Sequence, residues 1–285
     1  MFLLPYKPLE GEDIYQQAEL KAYQLHQSQI RNFDVIHDFS HSHLIARFNP
    51  NMPTLNLFWH APLVAQYPKA PYNIIGLSRW ACNEFKRVYH QKARYQQSIA
   101  LDTSIYKLSH TIRNGRFLSL GVLTPRKGHL EAAMLCKKLG VPLDIVGKPY
   151  GGEYESKIRQ ICDGKQIRYL GEVDEAEKVK LMQECKALLF VNQEPEVTSH
   201  KVQECMLCGT PIITTSIGAL PEIITQNVDG YLCKNETELE EAMGKVHLLN
   251  PLATYEATKS KYSIETVVKN YIPLYEEVMG GARWQ

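Results

Sequence analysis

The 285-residue sequence has almost no net charge: 32 Lys and Arg against 31 Asp and Glu leave +1. Nucleic-acid binders usually carry a basic excess, so that class finds no support. No apolar run reaches the roughly 18 residues of a membrane span. The start, MFLLPYKPLEGED, is too short for a signal peptide and lacks the basic opening of one. A disulfide framework is missing too. The seven cysteines are odd in number, scattered and mostly in apolar surroundings. That pattern fits reduced thiols in a cytoplasmic protein. Cys205 and Cys208 form a CxxC, but no second pair and no His pair completes a zinc site. They read as small core residues of a helix ending at Gly209. There is no strongly basic amphipathic helix, although peripheral association with the inner face of a membrane stays open. Internal repeats and low-complexity tracts are also lacking.

What is present is ordinary globular composition, 44% apolar and 22% charged, in a chain long enough for two domains. From residue 117 the pattern alternates. The short apolar runs FLSLG, PLDIVG, IRYLGEV, ALLFVN and IITTS are separated by stretches of helical period. Such spacing predicts βαβ units and a parallel sheet. The runs do not alternate with polar residues, so both sheet faces should be covered. The first hundred residues are less regular. ELKAYQLHQSQI and RWACNEFKRVYH look helical, and DVIHDF, TLNLFWH and NIIGLS look like strands. A polar stretch near 107–116 suits a linker. The expected organisation is therefore a smaller α/β domain over 1–110 and a Rossmann-like domain over 111–265. A final helix over 266–285 places Val267, Val268, Tyr271, Leu274 and Tyr275 at helical spacing.

In an open parallel sheet, ligands bind beyond the carboxyl ends of the strands. The loops to inspect are VLTPRKGH, KPYGGEY, GEVDE, NQEPEVTS and SIGALPE. Arg126 and Lys127 stand just before a helix starting near Gly128, a favourable place for an anion. A second helix should begin near Ser199, leaving the N–H groups of 199–202 unpaired. Glu196 precedes it, and Glu204 lies about 7 Å along it. A carboxylate cannot bind phosphate, but it accepts hydrogen bonds from sugar hydroxyls. This layout suits a phosphate between two hydroxylated rings. His37, Asp38, His41 and His43 in HDFSHSH could instead hold zinc or iron, but polar residues line a strand-end crevice anyway. Tyr67, Tyr72 and Trp80 could stack on an acceptor sugar or simply pack.

FLSLGVLTPRKG, IVGKP, YLGEV, EPEVTSHKVQECMLCGTPIITTSIGALPEII and DGYL together resemble the nucleotide-sugar half of the retaining family 4 glycosyltransferases with the GT-B fold. The resemblance is good over about 115–235, and the Glu, seven residues, Glu spacing followed by CGTP is its most specific part. It implies an α/β fold of two Rossmann-like domains facing a cleft, the N-terminal one reduced, with the last helix crossing back to the first domain. It implies that Glu196 binds hydroxyls of the transferred sugar, Glu204 the ribose and Lys127 the diphosphate, with Arg126 nearby. Gly171, Glu172 and Val173 would contact the base, and the backbone of Val197, Thr198, Ser199 and His200 the sugar and phosphate. DVIHDFS, PTLNLFWHAP, NIIGLSRW and SIALDTSIY resemble the family's first half more faintly. They imply an active-site role for His60 and a strand end leading to Asp102.

Three features depart from the family. Val122 stands where an Arg usually meets the phosphates, so Arg126 is the expected substitute. Ser199 stands where a Gly usually opens the backbone. The N-terminal strand with its glycine-rich loop is absent or reduced. The expected reaction is transfer of a hexose, taken as glucose, from a nucleotide diphosphate, taken as UDP, to an acceptor hydroxyl of a glycan, lipid or polysaccharide precursor. No metal and no cofactor are expected, with the nucleotide sugar as donor substrate. A non-catalytic nucleotide-sugar-binding protein is the alternative, and a GT-B-fold epimerase a further one.

Overall fold

The apolar runs become strands, in a computed structural model that describes residues 12–59, 71–109 and 113–285. These fall into two compact units, one of residues 1–97 with 268–285 and the other of 98–267. Residues 98–109 therefore lie with the second unit rather than the first. There Leu101 bridges to Ser263, and the Tyr106 hydroxyl donates to Glu175 at 2.5 Å.

In the first unit, β1 (Ile36–Asp38), β2 (Thr54–Phe58), β3 (Ile74–Gly76) and β4 (Arg94–Tyr95) form a parallel sheet in sequence order. Every residue of β2 and β3 is buried. Phe58, Ile74 and Phe85 form a core against which Tyr89 packs. The helix Arg79–Tyr89 starts where the Ser78 hydroxyl accepts the Ala81 N–H, satisfying one orphan donor. The first helix runs over Glu12–His26, earlier than the apolar spacing suggests. The short helix Leu44–Phe48 and strand β4 have no periodicity long enough to betray them.

The second unit carries β5 (Phe117–Leu120), β6 (Leu143–Val146), β7 (Ile167–Gly171), β8 (Ala187–Phe190), β9 (Ile212–Thr215) and β10 (Gly230–Cys233). All pair in parallel, in the spatial order β10-β9-β8-β5-β6-β7. That is the doubly wound Rossmann arrangement: after β5 the chain moves to one side, and after β8 to the other. The central strands β5, β6 and β8 are buried along their length, as helices on both faces require. β7 departs from the expected double coverage because it is an edge strand, and only Ile167 in it is buried.

The last helix, Ile264–Met279, begins in the second unit and continues in the first. Val267, Tyr271 and Val278 are buried, whereas Val268 is 52% exposed and does not belong to the apolar stripe. One residue beyond the buried Val267, it is rotated by about 100° from the packed face.

Candidate functional site

In a doubly wound sheet the crevice opens where strand order reverses, here beyond the carboxyl ends of β5 and β8. The two loops that leave those strands are held together by backbone. Gly128 has φ +67, and a Cβ there would lie 1.7 Å from the Val191 carbonyl oxygen. Only glycine permits so close an approach. The contact places Lys127, just before Gly128, against the loop carrying Glu196.

The Lys127 ammonium contacts the Glu196 carboxylate directly. Glu196 is buried, and its carbonyl accepts the Ala219 N–H at 2.9 Å. Both residues expected at the site are thus there, already paired with each other. Arg126 is different: half exposed, it lies 3.9 Å from the exposed Glu194. Its side chain meets an acidic neighbour at that distance, and its charge still reaches the Lys127 ammonium. Val122 itself is 41% exposed.

A second ammonium was not anticipated. Lys201 lies over the Phe190 ring at 4.3 Å, and Lys127 lies over the same ring at 5.9 Å. A Cβ on Gly121 would meet Lys201 Nζ at 3.0 Å and Lys127 Cγ at 3.8 Å. The two amines titrate as a pair, at about 7 and about 8 rather than 10.5. Burial is the main cause, and their mutual repulsion and Arg126 add to the depression of Lys127. The carboxylate at Glu194 pulls the other way.

His129 braces the turn below them. Its Nε2 lies 3.2 Å from the Val122 carbonyl and its Nδ1 2.8 Å from the Ser119 hydroxyl. Burial lowers its pKa to about 4, so the ring is neutral. A carbonyl can only accept, so Nε2 carries the proton and Nδ1 accepts from Ser119.

The quoted helix runs over His200–Leu207. Its free N–H set is smaller than expected, because the Val202 and Gln203 N–H groups donate to the Ser199 carbonyl at 3.1 and 3.2 Å. Among the described residues, no acceptor takes the N–H of Thr198 or Lys201. Ser199, 3% exposed, makes no side-chain cap, and its hydroxyl has no partner. The Oε1 of Gln203 and the Oδ1 of Asn192 are likewise buried and unpartnered. Unsatisfied polar atoms of this kind are uncommon in a folded interior and call for an explanation. Burial lowers the pKa of His200. The Val197 side chain is buried, so only its backbone can serve a ligand.

Glu204 is paired, with Lys178 Nζ at 3.3 Å. Lys178 also meets Glu175 at 2.9 Å and donates to the Tyr106 hydroxyl at 3.3 Å. Burial opposes the charge on Lys178, but Glu175 and Glu204 outweigh it and raise its pKa. A ribose would have to share Glu204 with this network. Gly171, Glu172 and Val173 leave the end of β7, two strands from β5. Gly171 accepts the Gly147 N–H at 2.9 Å, and Asp174 caps the next helix through Glu177 N–H. Asp102 accepts the Ser104 N–H at 2.7 Å within its own turn.

His60 and Tyr67 lie outside the described residues. In HDFSHSH the side chains diverge: the backbone N–H and ring of His41 turn to Glu19, and His43 lies 4.0 Å from Asp38. Among the described residues, no group of three or more His, Cys, Asp or Glu is arranged to hold a metal ion. The Tyr72 ring faces the Arg283 guanidinium at 5.3 Å. Cys205 and Cys208 are buried free thiols, as the reading of CxxC as core has it. Among the described residues, no helix is long and apolar enough to cross a membrane.

The fold is that of the GT-B glycosyltransferases, two Rossmann-like units each built on a parallel sheet. Sucrose-phosphate synthase from Thermosynechococcus elongatus superposes with a TM-score of 0.76 at 14% identity, over 98% of this chain and 82% of that one. Anabaena HepE, solved with UDP and glucose, superposes with a TM-score of 0.72 at 17% identity, over 94% of this chain and 83% of that one. Residues 107–260, more than half of the chain, match the family described as glycosyl transferases group 1, and the chain belongs to it. It is also 26% identical over 122 residues to N-acetyl-alpha-D-glucosaminyl L-malate synthase of Bacillus anthracis. That match spans 40% of this chain and 31% of the relative.

Proposed function

We propose that the protein is a retaining glycosyltransferase of family 4 that moves glucose from UDP-glucose to an acceptor hydroxyl of a glycan, lipid or polysaccharide precursor. One observation carries the reading: the Lys127 ammonium meets the Glu196 carboxylate at the point where strand order reverses. The reaction breaks the bond between the anomeric carbon and the β-phosphate oxygen, and forms one from the acceptor oxygen to the same carbon. Negative charge then gathers on the departing diphosphate. The ammonium group at 127 and the unpaired N–H groups at 198 and 201 would meet such charge, which is how preorganised electrostatics lower a barrier. They supply the counter-charge that a metal would otherwise provide, so the reading calls for none. Glu196, a buried hydrogen-bond acceptor, would hold hydroxyls of the transferred sugar and position its anomeric carbon. On the retaining route the acceptor approaches from the side the diphosphate leaves, and its proton passes to a leaving-phosphate oxygen. No separate base is assigned. The UDP bound by HepE, and the glucose beside it, favour this donor over other nucleotide sugars.

The test is calorimetry with UDP-, GDP- and ADP-sugars, followed by assay of UDP release with glycan and lipid-linked acceptors. Glu196→Ala should lower turnover at least 100-fold, about 2.7 kcal/mol, while changing UDP affinity little. Glu204→Ala should weaken UDP binding about tenfold. UDP-glucose binding without turnover on any acceptor would instead indicate a binding protein.

A further inference from the structure

Two amines share one small volume beyond β5 and β8, and the function above needs only one of them. Lys201 belongs to the first turn of the helix His200–Leu207, not to the β5 loop. Its Nζ nonetheless reaches the backbone at Gly121, whose φ of +146 keeps the turn open to it. The Phe190 ring beneath Lys201 explains how one ammonium is tolerated there. It does not explain why a second is placed beside it, since like charges in a partly buried site repel. Glu196 answers one of them, and Arg126 is occupied outside by Glu194. Lys201 therefore holds a positive charge that neither carboxylate answers. Two residues before Lys201, the buried Ser199 hydroxyl is also without a partner and can donate.

We propose that Lys201 is a second cation gripping the donor's diphosphate, supplied from the helix in place of an arginine on the β5 loop, so that the site takes a diphosphate in preference to a monophosphate. The proposal rests on the reading of this site as one for a nucleoside diphosphate sugar. Lys127 and Lys201 flank the volume beyond Gly121 from two different elements. A single phosphate can be met by one ammonium and the helix N–H groups; two phosphates need both ammonium groups. The unliganded cluster then carries a cost that the ligand removes. A lysine retained for packing would show the opposite balance.

The experiment uses the full chain with Lys201→Met and Lys201→Arg, with UDP and UMP as probes in calorimetry and thermal melting without ligand. Lys201→Met should weaken UDP at least tenfold and UMP less than threefold, narrowing the preference for the diphosphate. Its unliganded melting temperature should equal or exceed that of the parent protein. Lys201→Arg should recover most of the UDP affinity. Parent-like UDP binding by Lys201→Met would overturn the role of Lys201 and leave the glycosyltransferase reading standing. A Lys201→Met chain that fails to fold would assign the lysine to packing over Phe190, which also overturns the proposal. A parent protein that binds neither UDP nor any UDP-sugar would remove the function and the proposal together.

Discussion

The paired amines make donor binding depend on pH in a way that can be worked out. In the free protein the pair titrates at about 7 and about 8, depressed first by burial. A bound pyrophosphate keeps two negative charges throughout this range, and beside it both amines regain their usual affinity for protons. At pH 8 the pair in the free protein is therefore partly deprotonated as a unit. Allowing for the opposing pull of Glu194, binding UDP-glucose at pH 8 should take up on the order of one proton. Between pH 6.5 and 8.5 the proton the pair must regain implies at least tenfold weaker binding, or ~1.4 kcal/mol. The sign is fixed: affinity falls as pH rises through 7 to 8, because protons must be collected before the anion is fully gripped. The stability of the free chain runs the other way over pH 7 to 10, since these amines hold fewer protons folded than unfolded. Calorimetry at pH 8 in two buffers of different ionisation enthalpy reads the proton count directly. Zero uptake, or affinity independent of pH over this interval, would refute the placement of two depressed ammonium groups at the diphosphate.

Two further outcomes follow from the scaffold around the site. Gly218→Ala would put a Cβ 2.7 Å from the backbone N and O of Glu196, at a φ of +58 that already disfavours alanine; kcat should fall at least tenfold with UDP affinity nearly unchanged, as steady-state kinetics beside calorimetry would show. Arg113 donates to the carbonyls of Cys185 at 2.7 Å and Gly209 at 2.6 Å and to the Thr210 hydroxyl at 3.1 Å; Arg113→Met should cost about 3 kcal/mol in urea unfolding, because it leaves buried carbonyls unpaired.

Five strands of the second sheet were legible because each is a short apolar run bounded by glycine or by a capping residue, and parallel strands buried on both faces leave that trace, whereas β10 (Gly230–Cys233) was not read as a strand. The central pair of Lys127 and Glu196 was legible from loop position and from the family resemblance. The mutual contact of those two was not, since 69 residues separate them and backbone contacts between the loops, the Gly128–Val191 approach and the Gln193 N–H donated to the Arg126 carbonyl, bring them together. Lys201 was missed for a different reason. A lysine in the first turn of a helix usually reads as a solvated residue, and its reach back to Gly121 depends on a φ that sequence does not print. His129 was hidden among the apolar residues of its helix, and its role appears only once Ser119 and Val122 are seen on either side of the ring. In the first unit, β4 pairs through two residues, too few to leave any period.

Five of the seven cysteines are buried, and Cys205 and Cys208 sit on or next to the helix that carries Lys201 and Glu204. Burial pushes the Cys208 thiol up to about 12 and raises that of Cys205 as well, so neither offers a thiolate to an alkylating reagent while the helix stays docked. Only Cys82 and Cys162 are partly open to solvent. The rate at which a reagent reaches positions 205 and 208 is therefore a clock for local opening of that helix, and a bound donor that braces it should slow the clock without any label being introduced into the protein.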